Sequence, residues 1–111
     1  MLFRSAVCSD YAGGPSPGLS LHTAPWLHRR QIAVVASDTW GLEVRPNEID
    51  FYQPLHVIAL VYMGLPIGEI FDLEEIAVVC AAEGTWEFLF VAPPLPITGA
   101  AGSPVNPLAI M

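Results

Sequence analysis

A histidine and a glutamate, His56 and Glu69, are the side chains whose types and spacing lend themselves best to chemistry. An imidazole nitrogen and a carboxylate oxygen both suit a borderline divalent cation such as zinc or manganese, and a site with few protein ligands keeps room for a water. Both also have an ordinary reading: a His at a helix start is commonly a satisfied structural or capping group, and a lone Glu a solvated carboxylate. A second group lies just beyond the apolar run at residues 32–36. Open α/β sheets place ligand contacts beyond the carboxyl ends of their strands, so Asp38 and Thr39 are candidates to touch a substrate. They serve equally well as a structural turn in which Asp38 bonds backbone N–H groups. Trp40 is either the wall of an aromatic substrate pocket or a core or interface residue.

The other polar side chains offer less. His22 and His28 flank Trp26 at a spacing that puts them on different helix faces, which excludes them as a metal pair. Ser103 lacks the Gly-x-Ser-x-Gly elbow of a serine nucleophile. Glu43, Glu48, Asp50 and Glu74 read as solvent-facing. Cys8 and Cys80 fit neither a metal pair nor a redox motif and read as reduced thiols of a cytoplasmic protein.

The elements that must position these groups follow from punctuation and apolar patterning. Residues 10–18 form a loop rich in Gly and Pro. Residues 19–30 predict a helix with Leu21, Ala24 and Trp26 or Leu27 on one side, and Thr23 or His22 as N-cap puts Pro25 in its first turn. The β-branched run 32–36 predicts a strand covered on both faces. A polar connection, 46–54, leads to an apolar helix at 55–63, stopped by Gly64 and Pro66. A second short apolar segment spans 67–71. Asp72-Leu-Glu-Glu75 predicts a capping box, with Ile76, Val79 and Cys80 on one face of the helix it opens and Gly84 ending it. Residues 86–92 predict a strand, and 105–110 an edge strand where prolines are tolerated. Strands and helices alternate, so the fold class is α/β.

Composition narrows the function. The net charge of −7, from four basic and eleven acidic residues, gives no footprint for nucleic-acid phosphates or an anionic membrane surface. The uncharged stretch 88–111 is long enough to span a bilayer, but Pro93, Pro94, Pro96, Pro104 and Pro107 would break a lone membrane helix. The N-terminal apolar patch is too short for a signal peptide. Apolar residues make up 53% of the chain and charged ones 14%, against averages of roughly 45–50% and about 25%. A monomer of 111 residues would have trouble covering that surface with polar groups, which predicts pairing through exposed apolar surface or a homo-oligomer.

Five segments carry a resemblance to a known family. They are the Tyr-x-Gly…Pro-Gly-Leu-Ser run at 11–20, Trp26-Leu27-His28, the Val-Ala-Ser-Asp-Thr-Trp-Gly-x-Glu-Val block at 35–44, Gly-Glu-Ile-Phe-Asp-Leu-Glu at 68–74, and Gly-Ser-Pro-Val-Asn-Pro-Leu-Ala-Ile at 102–110. In that order the chain resembles the C-terminal portion of the cyclase family, metal-dependent hydrolases related to bacterial kynurenine formamidase. The family's upstream His-x-Gly-Thr-His-x-Asp-x-Pro-x-His motif does not occur here. The resemblance implies a partial swivelling β/β/α domain at residues 10–111, lacking its N-terminal part, with residues 1–9 unplaced. It implies His56 and Glu69 as ligands of a zinc or manganese ion, an incomplete set by themselves. It also implies Asp38, Thr39 and Trp40 lining the site of a small-molecule substrate. The implied activity is arylformamidase-like amide hydrolysis, as in tryptophan catabolism through kynurenine, with this chain inactive alone. The alternative is a non-catalytic interaction module that pairs with itself or with a fuller family member.

Overall fold

The computed structural model describes residues 13–111, which fall into two compact units, 13–72 and 73–111. The N-terminal segment 1–9 and Cys8 lie outside the described residues.

In the first unit, helix α1 (Ala24–Arg29) follows a 3-10 turn at Leu21–Thr23. Thr23 is its N-cap and Pro25 lies in its first turn, where the missing N–H would have had no helical partner. Ala24 and Leu27 are buried, whereas Trp26 is half exposed. The predicted helix thus starts later, and the buried side runs through Leu27. Strand β1 (Val35–Ala36) pairs in parallel with β2 (Ile67–Gly68), Val35 opposite Ile67. Between them runs helix α2 (Pro54–His56), continued by a π-helix at Val57–Met63 that Gly64 ends in the left-handed conformation. A parallel pair joined through a helix is the unit from which α/β folds are built. Leu27, Ala59 and Leu65 form the core, with Ile32, Val35, Met63 and Ile67 packed on it.

The strand expected over 32–36 is corrected in length and burial. Only Val35 and Ala36 are extended in a ladder, and Ala33, Val34 and Ala36 are exposed. Its ladder runs along β2 alone, through Val35 N–H to Pro66 O and Ser37 N–H to Gly68 O, so β-branching reflects strand propensity here rather than two covered faces.

The second unit holds α3 (Glu74–Glu83) and an antiparallel pair, β3 (Leu89–Val91) with β4 (Leu108–Ile110). Gly84 ends α3 in the left-handed conformation, as expected. The capping box is corrected: the Leu73 carbonyl accepts the first helical bond from Ala77 N–H, so Leu73 is the N-cap, with no side-chain cap bond. Asp72 lies one residue outside, and Glu75 falls at N2, where the reciprocal bond does not close. Cys80 is buried and free of a disulfide, Ile76 is half-buried and Val79 exposed. Among the described residues no helix is long and apolar enough to cross a membrane.

Candidate functional site

His56 stands at the last residue of α2, where the helix passes into its π-helical continuation. Such π segments recur at functional sites because the widened turn re-aims side chains. Its ring lies between two carboxylates: Nδ1 is 2.7 Å from Glu43 Oε1, and Nε2 is 3.1 Å from Glu69 Oε1. The structure therefore brings His56 and Glu69 together and adds a third residue, Glu43.

Glu43 overturns a sequence expectation. It is 2% exposed rather than solvent-facing. A buried carboxylate is costly unless hydrogen-bonded, and Glu43 meets that need twice: Oε1 takes the His56 ring and Oε2 accepts the Leu55 N–H at 3.1 Å. The residues that deliver it are local. Leu42 has a positive φ of 45°, which turns the chain between two buried side chains, and a backbone bridge aligns Glu43 with Leu19. A signal was present in the sequence: Glu43 is the one charged residue between Asp38 and Arg45, flanked by Leu42 and Val44.

Backbone strain gathers around the same three side chains. Among the described residues four non-glycine residues have positive φ: Gln31, Leu42, Gln53 and Ile70. Leu42 precedes Glu43, Gln53 is the N-cap of the helix that carries His56, and Ile70 follows Glu69. For a β-branched residue such as Ile70 this region is a steric outlier, held only because the surroundings over-determine it. Ile70 N–H donates to Thr39 O and Phe71 N–H to Ser37 O, so the turn after β1 pins the segment that presents Glu69.

That turn holds the other predicted residues. Thr39 Oγ1 lies 2.8 Å from Ser37 Oγ, and the Ser37 hydroxyl also accepts the Thr39 N–H. Thr39 is tied by its backbone to the residue beside Glu69. Asp38 is exposed. Trp40 lies under the Arg45 guanidinium, 5.3 Å from its ring centroid, with Tyr52 at 5.4 Å from the same cation. The side chains of Trp40, Arg45 and Tyr52 thus form a cation–aromatic stack.

The proton inventory of the triad defines its chemistry. A carboxylate only accepts, so the Nδ1 position facing Glu43 carries its hydrogen, and a neutral ring then has an acceptor at Nε2. Glu69 also accepts. Two acceptors 3.1 Å apart are held together by a proton or by a cation between them. Ligand atoms bound at about 2.0–2.2 Å to one ion lie roughly 2.8–3.6 Å from each other between octahedral and tetrahedral angles, so Nε2 and Glu69 Oε1 fit two positions of a coordination sphere. Among the described residues no group of three His, Cys, Asp or Glu side chains is gathered to hold a metal ion; the pair is a partial set. His56 is 13% and Glu69 30% exposed, so the pair opens outward on the Glu69 side.

No family model matches the sequence, and no curated protein matches it. A crystal structure described as that of a novel cyclase matches with 43% identity and a TM-score of 0.80 over 87% of this chain. That likeness supports membership of the cyclase family. The chain spans 31% of that cyclase's length. The mixed helix-and-strand architecture of this cyclase-like chain is the part of the resemblance that the match carries.

Proposed function

We propose that this chain contributes His56 and Glu69 as two ligands of a divalent metal in an arylformamidase-like amide hydrolase, and that it is inactive by itself. The observation that supports the reading best is the facing pair of acceptors, Nε2 and Glu69 Oε1, with a buried carboxylate behind Nδ1. A histidine whose second nitrogen donates to a carboxylate is the usual arrangement of a metal-ligating imidazole. A zinc or manganese ion held there would polarise a substrate carbonyl and make a water nucleophilic near neutral pH. The residues of this chain orient the ligands through Glu43 and the strained Ile70 turn, and the substrate contacts are Asp38, Thr39 and Trp40, on the turn whose Thr39 carbonyl accepts the Ile70 N–H. The class of substrate is a small aryl formamide, and the compartment is the cytoplasm.

The test is metal content on the purified chain. Zinc or manganese is expected in the wild type, at less than one ion per chain because two protein ligands form a weak site, and is lost in both His56→Ala and Glu69→Ala. Equal metal in all three proteins would sink the ligand assignment. Hydrolysis of N-formylkynurenine by the pure chain would refute its inactivity alone.

A second reading, of pairing through apolar surface, is favoured by a separate observation. Trp86, Leu89, Leu95, Ile97, Leu108 and Ile110 are all more than half exposed within one uncharged or weakly charged stretch, and an excess of exposed apolar side chains is what association would cover. Sedimentation would show a dimer or larger species; a monodisperse monomer at high concentration would count against it.

A further inference from the structure

We infer that Glu43 is a positioning residue: it fixes the tautomer and plane of the His56 ring so that Nε2 presents a lone pair toward Glu69. Its importance to a metal rests on the ligand reading above. One carboxylate accepts from two consecutive residues, the Leu55 backbone N–H and the His56 ring, so the ring is referenced directly to the start of its own helix. The Glu43 side chain is 3% exposed, which keeps water from substituting for either bond. Its backbone has little freedom either: a Cβ at Gly18 would collide with the Glu43 carbonyl carbon, so the loop at Gly18 packs closely against it. Among the described residues the group on the Nδ1 side is the Glu43 carboxylate, an acceptor when ionised, so the ring supplies the hydrogen of that bond.

Replacement by glutamine gives a sharp consequence. A carboxamide has one acceptor oxygen and one N–H2 donor. With the oxygen taken by Leu55 N–H, the amide donates to Nδ1 and the hydrogen moves to Nε2, the nitrogen that faces Glu69. The side chain has nearly the same size and the ring keeps its place, but the tautomer inverts.

The experiment is long-range 1H–15N NMR of the imidazoles in the full chain at about pH 8, without metal and during a zinc titration. The wild type is expected to carry hydrogen on Nδ1 and to shift at Nε2 with zinc. Glu43→Gln is expected to keep the backbone amide spectrum, to carry hydrogen on Nε2, and to bind zinc about 10–100-fold more weakly. Glu43→Asp keeps an anionic acceptor and is expected to retain the wild-type tautomer; it serves as the reading should Glu43→Gln not fold, and loss of the tautomer there would overturn the inference. Absence of hydrogen from Nδ1 in the metal-free wild type, or an unchanged tautomer with equal zinc affinity in Glu43→Gln, would overturn it too. The two readings separate cleanly. A wild type that binds no zinc but shows the Nδ1–H tautomer, inverted in Glu43→Gln, refutes the metal assignment alone; equal zinc binding by both proteins refutes the role of Glu43 alone.

Discussion

Residues 13–72 and 73–111 are both rich in apolar residues and put them to different ends. The first region buries Ala24, Leu27, Leu42, Leu55, Ala59 and Leu65 together with the carboxylate of Glu43, whereas in the second Cys80 is the buried side chain among those described. The second region instead exposes Val78, Trp86, Leu89, Leu95 and Ile110. The difference shows what a polar site requires. A carboxylate can be taken from water only where N–H groups are already aimed at it, and aiming them needs helix starts and turns fixed by a packed core. The triad sits in the region that has such a core, and the region without one offers apolar surface.

The contrast is broken most forcefully by truncating one leucine in each region. Leu55 is 1% exposed and its N–H bonds Glu43, so Leu55→Ala is expected to cost about 2–5 kcal/mol and to loosen the carboxylate as well. Leu95 is 54% exposed, and Leu95→Ala is expected to stay within about 0.5 kcal/mol. Urea midpoints measure both. Similar losses would show that the second region is packed in solution against something that covers it.

The same contrast explains which features could be read from the sequence. Pro25 in the first turn of α1, Gly64 and Gly84 as helix stops, and the extended segments around β3 and β4 were legible because each depends on local dihedral preferences and apolar runs. His56 and Glu69 were legible as donor types, and their meeting depends on the turn at Thr39 that bonds Ile70. Glu43 stood out only as the lone charged residue between Asp38 and Arg45, and its burial was not legible. Its burial depends on Leu42 taking a positive φ and on a bridge to Leu19, neither of which leaves a periodic trace. The π-helix at Val57–Met63 was hidden for another reason: its residues are apolar throughout, so the hydrophobic pattern fits any helical period. The short β1 was overestimated because β-branched residues favour extension whether or not both faces are covered.

A smaller effect sharpens the comparison at glycines. A Cβ at Gly18 would lie 2.6 Å from the carbonyl oxygens of Leu42 and Glu43, backbone atoms that cannot swing aside. Gly18→Ala is therefore expected to cost about 1–3 kcal/mol, as overpacking does, and to weaken any zinc binding by displacing Glu43. Nothing lies within 4 Å of a Cβ at Gly102, and its φ is not in the left-handed region. Gly102→Ala is expected to be neutral or to stabilise by about 0.4–1 kcal/mol through the unfolded chain. Thermal midpoints of the two variants test the pair, and a tolerated alanine at Gly18 would show that the Glu43 backbone is free to shift.

The smallest expected effect compares two carboxylates that both accept backbone N–H groups. Glu43 does so in the interior, whereas Glu48 does so at the surface, where its Oε1 accepts the Ser20 hydroxyl at 2.8 Å and its Oε2 the Leu21 N–H at 2.5 Å. Ser20 in turn accepts the His22 N–H as N-cap of the 3-10 turn, so Glu48 completes the cap that leads into α1. The Ser20 hydroxyl first, then the Leu21 N–H and the nearby His22, hold the Glu48 carboxyl below its ordinary value of 4.5. The folded state then binds this proton less readily than the unfolded state, and stability rises with pH across that window. The contribution of Glu48 is fully present above pH 4.5 and fades as the pH falls below it. Comparing wild type with Glu48→Gln by urea midpoint, we expect a small difference at pH 7 that closes in acid and also shrinks with salt, as exposed charges do. A difference that widens in acid would mean that Glu48 stabilises the cap through its protonated form, and that the N–H groups around it do not select the carboxylate.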